Sequence, residues 1–224
     1  TLQNPTIAYN TTGIYSVTLI ASDSSSSDSL VFTDYISVAD PGIGDPLPFL
    51  ENFESGIFPS QGVTINNPDG GITWELDSLA STSGKYSIRI NNLINTNYGS
   101  ADEIILPFFD MTTDTNGILV FLKFKWAYAR SDPNFSDELI VLASIDCGQS
   151  FTQRLYKSGN SLATGPTQTT PFIPDSSQWD SVSVFLGSYA DEPYLLIKIV
   201  NVTDGGNNFY IDDISLGDLS LLPP

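Results

Sequence analysis

The stretch "LVFLKFKWAYA", residues 119–129, decides the fold. Val120, Leu122, Phe124, Trp126 and Tyr128 fall on one side of an extended chain, and Lys123 and Lys125 on the other. Side chains alternate across a strand with period two, so this run is a strand with one buried and one wet face. Antiparallel sheets use such strands, packing one face on a core and leaving the other to solvent.

Similar runs lie on either side, at 86–91, 139–145, 181–187, 194–200 and 209–216. "LIVLASI", 139–145, is apolar on both faces and predicts an interior strand. Gly, Pro, Asn, Asp and Ser clusters separate the runs, and no helical stripe exceeds about two turns. From Phe49 to about Asp218 the expectation is therefore an all-β unit, an antiparallel two-sheet jelly-roll β-sandwich.

The N-terminal region has a different character. "GIYSVTLIAS", 13–22, and "LVFTDYISV", 30–38, read as strands around the polar turn "SSSSDS", 24–29. With "NPTIAY" they make three strands in under 40 residues, too few to close a sandwich. "ADPGIGDPLP", 39–48, holds three prolines and two glycines and reads as a linker. The expected organisation is 1–39, a linker at 40–48, the sandwich at 49–218 and a tail at 219–224. The chain begins "TLQNP" and reads as a piece of something longer.

Composition removes several function classes. With 26 acids against 8 bases, a net charge of −18 repels phosphate backbones, so nucleic acid is a poor partner. No run approaches the roughly 18 apolar residues of a membrane helix. The chain contains no histidine, which removes Ser-His-Asp and Cys-His nucleophilic sites and H-E-x-x-H zinc sites. The single cysteine, Cys147, forms no internal disulfide and reads as a small, semi-buried turn residue. Acid pairs for glycoside hydrolysis cannot be read from spacing, and "DCG", "DGG" and "DTN" stand where an aspartic dyad would need Asp-Thr/Ser-Gly. A hydrolase using acids alone is a remote alternative, so the chain is expected not to be an enzyme.

Clustered carboxylates suit a hard cation such as calcium. Exposed aromatic rings would suit glycan stacking. Trp74 and Trp126 alternate with apolar neighbours and are expected in the core. Trp179, in "SSQWDS", is the freest of the three tryptophans, and Tyr98, Tyr156 and Tyr189 are loop candidates for ligand contact. Asn10 and Asn201 open matches to the N-x-S/T glycosylation sequon.

"NPTIAYNTTGIYSVTLIASDSSSSDSLVFTDYISV" resembles the second half of a polycystic-kidney-disease (PKD) domain, an immunoglobulin-like sandwich, without its Trp-Asp-Phe-Gly-Asp-Gly half. The remainder, most specifically "ASIDCGQSF", "KSGNSLAT" and "NNFYIDDISL", is similar to a jelly-roll module of secreted Bacteroidetes-type proteins, related to the MAM and carbohydrate-binding superfamilies. That resemblance implies an accessory module beside a pappalysin-like zinc metallopeptidase domain, at the cell surface or secreted. Its role would be adhesion, substrate targeting or stabilisation, and a glycan-binding lectin-like module is the alternative. The implied partners are a glycan or extracellular protein and the parent catalytic domain in cis. The chain would be a monomer unless the half domain pairs between chains. The resemblance also implies a structural calcium ion held by Glu54, by backbone at Ser83–Lys85, and by Asp212 or Asp213. Strand alternation would set those two aspartates on opposite faces.

Overall fold

A computed structural model describes residues 6–9, 11, 13–38, 44–112 and 119–218. The start of the "NPT" run, the Asn10 sequon, linker residues 39–43 and the tail 219–224 lie outside the described residues. The chain divides into two compact units, Thr1–Ile43 and Gly44–Pro224.

The first unit is an antiparallel hairpin of β1 (Gly13–Ser22) and β2 (Ser27–Val38). Its turn is shorter than "SSSSDS" suggests because Asp23 closes it. The Asp23 carboxylate accepts the backbone N–H groups of Ser25 at 2.7 Å and Ser26 at 2.8 Å, a side-chain mimic of a turn. Val17 then faces Phe32 and Leu19 faces Leu30, with an irregularity between Tyr15 and Val17.

The second unit is an all-β sandwich. Its six-stranded sheet is built from β3 (Phe49–Glu51), β5 (Glu75–Asp77), β6 (Ser87–Asn91), β8 (Val120–Tyr128), β11 (Asp180–Phe185) and β13 (Asn208–Asp218). Its order is β11-β8-β13-β6-β5, with β3 also on β13. The facing sheet holds β4 (Thr64–Asn66), β7 (Ala101–Ile105), β9 (Glu138–Ser144), β10 (Thr152–Ser158) and β12 (Leu196–Val202) in the order β10-β9-β12-β7-β4. All named strand pairings are antiparallel, and consecutive strands cross between the sheets as in a jelly roll, except β5–β6 and β9–β10, which pair within one sheet.

The core lies between the sheets. From β8 it takes Val120, Leu122, Phe124, Trp126 and Tyr128, all buried as alternation requires. From β9 come Leu139, Val141 and Ala143, and from β13 Phe209, Ile211, Ile214 and Leu216. β9 lies between β10 and β12, the interior place its two apolar faces anticipate. Trp74 packs edge-on against Phe209, so it and Trp126 are core residues.

Two details depart from the sequence reading. Gly44 to Pro48 belongs to the second unit rather than to a free linker. Asp45 bridges to Phe109 and Leu47 packs on the core, so burial and pairing override the turn-rich composition. Cys147 is exposed, not semi-buried, at a turn position with φ 58°.

Candidate functional site

The most concentrated chemistry lies where the loop after β5 meets the last strand. β13 carries a bulge: Asp212 pairs with Lys125, but Ser215, three residues on, pairs with Lys123. The extra residue shifts the alternation, and Asp213 takes up the strain at φ 52°. Both aspartates therefore reach the same loop, and the opposite-face expectation fails for that reason.

The loop is clamped by three carboxylates. Asp212 accepts the backbone N–H of Thr82 at 2.7 Å. Asp213 accepts the hydroxyls of Ser83 at 2.6 Å and Thr82 at 2.8 Å, and pairs with the Lys125 ammonium at 3.1 Å. Glu54 reaches in from the entry segment and accepts the N–H groups of Lys85 at 2.8 Å and Tyr86 at 2.7 Å. Gly84 makes that approach feasible: its φ is 57°, and a Cβ there would overlap the Glu54 carboxylate. Residues 54, 82–86 and 212–213 are thus one latch between the entry, a mid-chain loop and the last strand.

The two aspartates titrate apart. Burial pushes Asp212 up to about 6, against hydrogen bonds from Thr82 and Ser83. For Asp213 burial acts in the same direction, but the Ser83 and Thr82 hydroxyls and Lys125 outweigh it and hold the group below its ordinary value.

The donor set is chemically suited to calcium, with carboxylate, hydroxyl and carbonyl oxygens from distant chain positions. As arranged, however, the carboxylates receive N–H and O–H groups and an ammonium. Lys85 contributes its N–H, not the carbonyl that the resemblance implies. Among the described residues no three His, Cys, Asp or Glu side chains form a metal-holding group.

Beside the latch a groove of about 520 Å³ runs over the outer face of the six-stranded sheet. Lys123, Lys125, Ser181 and Ser215 line it, with Leu50, Ser83 and Asp213. One strand register further along the same face, Phe185 of β11 stands opposite Phe121 of β8, with ring centroids 5.4 Å apart. Their neighbour on β13 is Gly217, which has no side chain to cover Phe121. Phe185 is 43% exposed. The sequence carried the signal: Phe121 shares the wet face of β8 with the two lysines.

The aromatic residues singled out from sequence do not come together. Trp179 stacks edge-on against Tyr210, 6.1 Å between centroids, and is half-buried. Tyr156 is exposed on β10 and donates to Glu138 at 2.8 Å. Tyr98 is exposed beside Phe135. Tyr189 carries the Arg154 guanidinium over its ring. Asn201 is fully buried and exchanges amide hydrogen bonds with Asn92, so its sequon is closed to modification in the folded chain.

This is an all-β sandwich, and comparison with solved structures finds the same fold. The structure resembles the K1 cleaved adhesin domain of Lys-gingipain from Porphyromonas gingivalis W83, at 16% identity and TM-score 0.53, covering 77% of this chain and 98% of that one. It also resembles the K2 cleaved adhesin domain of Lys-gingipain, at 20% identity and TM-score 0.53, covering 76% and 99%. A third is CBM27-1 of Caldicellulosiruptor saccharolyticus in complex with mannohexaose, at 13% identity and TM-score 0.50, covering 75% and 96%. At these identities the likeness shows the fold alone. No protein-family model matches the chain, and no curated protein matches it.

Proposed function

We propose that the chain is a non-catalytic adhesion and glycan-binding module of a secreted or surface protein, and that it binds on the outer face of the six-stranded sheet. The carrying observation is the groove of about 520 Å³ on that face, together with the exposed Phe185 ring packed on the half-buried Phe121 beyond its lining. Rings present an apolar face to the C–H face of a sugar, while hydroxyls and ammonium groups alongside meet its hydroxyls. Support also comes from the chains it resembles: two are adhesin domains and a third was solved with mannohexaose. The lack of histidine in the sequence argues for binding rather than turnover.

The test is a glycan array followed by calorimetry on the best ligand. Phe185→Ala should weaken that ligand about tenfold, the equivalent of one aromatic contact worth about 1.4 kcal/mol. Loss on Trp179→Ala with Phe185→Ala unaffected would move the site off this face. A blank array together with binding to an extracellular protein would leave adhesion and remove the glycan.

The latch is proposed to be a calcium site that stabilises the module, with Asp213 and Glu54 as the ligating acids. Calcium added to chelator-treated protein should raise the unfolding midpoint of the second unit by several degrees, and magnesium should not. Glu54→Gln or Asp213→Asn should abolish the gain, whereas a midpoint indifferent to calcium makes the latch a purely hydrogen-bonded clamp. The N-terminal hairpin is proposed as the C-terminal half of a PKD domain, and the parent as a metallopeptidase-bearing surface protein of the Bacteroidetes type. The quoted sequence motifs and the β1–β2 pairing support that reading.

A further inference from the structure

The outer face of the five-stranded sheet carries three reactive side chains that belong neither to the latch nor to the groove. Glu103 of β7, Lys198 of β12 and Asn66 of β4 meet there on one oxygen. Glu103 Oε2 accepts from the Lys198 ammonium at 2.8 Å and from the Asn66 side-chain amide at 2.8 Å. The two donor nitrogens are therefore no further apart than twice that distance. Sheet order explains the meeting, because β7 lies between β12 and β4. Asn66 stands directly opposite Glu103, and Lys198 stands opposite Ile105, two residues along β7 on the same face.

The surroundings hold the lysine in place. It sits in register between Leu142 of β9 and Ile105 of β7, and its ammonium lies 4.6 Å from the centre of the Phe151 ring. The side chains of Lys198 and Glu103 are only 17% and 15% exposed. Charges poorly served by water relieve one another by passing a proton. A surface ion pair has two partners and contributes little. Here the third partner adds an electrophile, the carboxamide carbon of Asn66, beside an amine whose proton acceptor is already in contact.

We infer that Lys198 and Asn66 join through an isopeptide bond, with Glu103 as the acid–base catalyst. Glu103 takes a proton from the Lys198 ammonium and frees the lone pair on Nζ. The amine attacks Cγ of Asn66, and the new C–N bond forms. Glu103 passes its proton to Nδ2, the C–Nδ2 bond breaks and ammonia leaves. The second proton on Nζ follows through Glu103 to the departing ammonia. An ammonium and a carboxamide thus become a secondary amide and an ammonium ion, with no co-reactant. Three adjacent strands supply the proximity that free lysine and amide lack in solution. The bond would tie β4, an edge strand of three residues, to β12 across β7. It closes a long loop as a disulfide does, in a chain with a single cysteine. This site is independent of the latch and of the glycan-binding reading.

The test is the intact mass of the full chain, measured after unfolding, once incubation at neutral pH has brought it to a constant value. The parent should weigh one ammonia less than its sequence. Lys198→Arg, which keeps the ion pair, and Glu103→Gln, which keeps the shape, should each show the full mass of their own sequences. A tryptic digest of the parent should give one branched peptide containing Asn66 and Lys198, uncut after Lys198. A parent of full sequence mass, an ammonia loss that persists in either variant, or a loss mapped to another asparagine would overturn the inference.

Discussion

Gly206→Ala is expected to lower the stability of the second unit by about 3–5 kcal/mol, and its unfolding midpoint by roughly 10 °C or more. A Cβ at Gly206 would overlap both the Tyr128 hydroxyl and an Asp137 carboxylate oxygen, with the Asp137 Cγ at 2.7 Å. Neither neighbour can withdraw. Tyr128 and Asp137 have no exposed surface, and Tyr128 is packed edge-on against Phe209. Moving Asp137 breaks its bonds to Asp204 and Gly206 and leaves a buried charge without donors, which costs far more than a bad contact alone. Burial and the Asp137 carboxylate both push the Tyr128 phenol well above its ordinary value, so the pair tolerates no second charge. Gly70→Ala is the control. Gly70 has φ 65° and nothing within 4 Å of a new Cβ, so only the left-handed backbone penalty of about 1 kcal/mol remains. Chemical denaturation of both variants, followed by tryptophan fluorescence, separates the two. Equal losses would mean that Asp137 is not the tie between the β8–β9 connection and the β12–β13 turn.

That tie was not legible in the sequence. Asp137 stands in "FSDEL", one of many Asp residues, and its partners come from positions 92, 204 and 206. Strands with long alternating runs were legible: β8 declared its faces through Lys123 and Lys125, and β9 its interior place. The strands that escaped had physical reasons to. β3, β4 and β5 are three residues each, shorter than any period can register. β10, "TQRLYKS", is an edge strand whose polar residues face solvent, so its apolar signal is nearly absent. β7, "ADEII", puts an aspartate on its buried face, against the alternation rule. The bulge at Asp213 was invisible because a one-residue insertion leaves both flanking runs looking regular. Glu54 and the Asp212–Asp213 pair meet residues 82–86 through hydrogen bonds, a kind of contact that the motif resemblance did not describe. Backbone N–H groups, not carbonyls, meet Glu54.

In the presence of chelator, the second unit should become more stable as pH falls from 7 to about 4.5, contrary to the usual acid lability. Burial, the largest cause in each case, raises Asp102 and Asp212 to about 6. Their carboxyls in the unfolded chain titrate near 3.8. Between those values the native state binds more protons than the unfolded one, so stability falls as pH rises through the window. The stabilisation is complete below the unfolded value and lost above the folded one. Each group contributes on the order of 2–3 kcal/mol over the full span. Protonation also relieves the repulsion of a chain carrying −18, which acts in the same direction. The rise must turn over near pH 4. Asp213, held low by Ser83, Thr82 and Lys125 against its burial, and Asp146, held at about 2 by Ser150 and Ser144, lose their native hydrogen bonds as they protonate. Asp102→Asn in chelator should remove about half of the rise between pH 7 and 4.5, because Asp212 still titrates. Denaturation midpoints collected across this range would show it. A chelated protein whose stability drops steadily from pH 7 downward would mean that Asp102 and Asp212 are already compensated in the native fold.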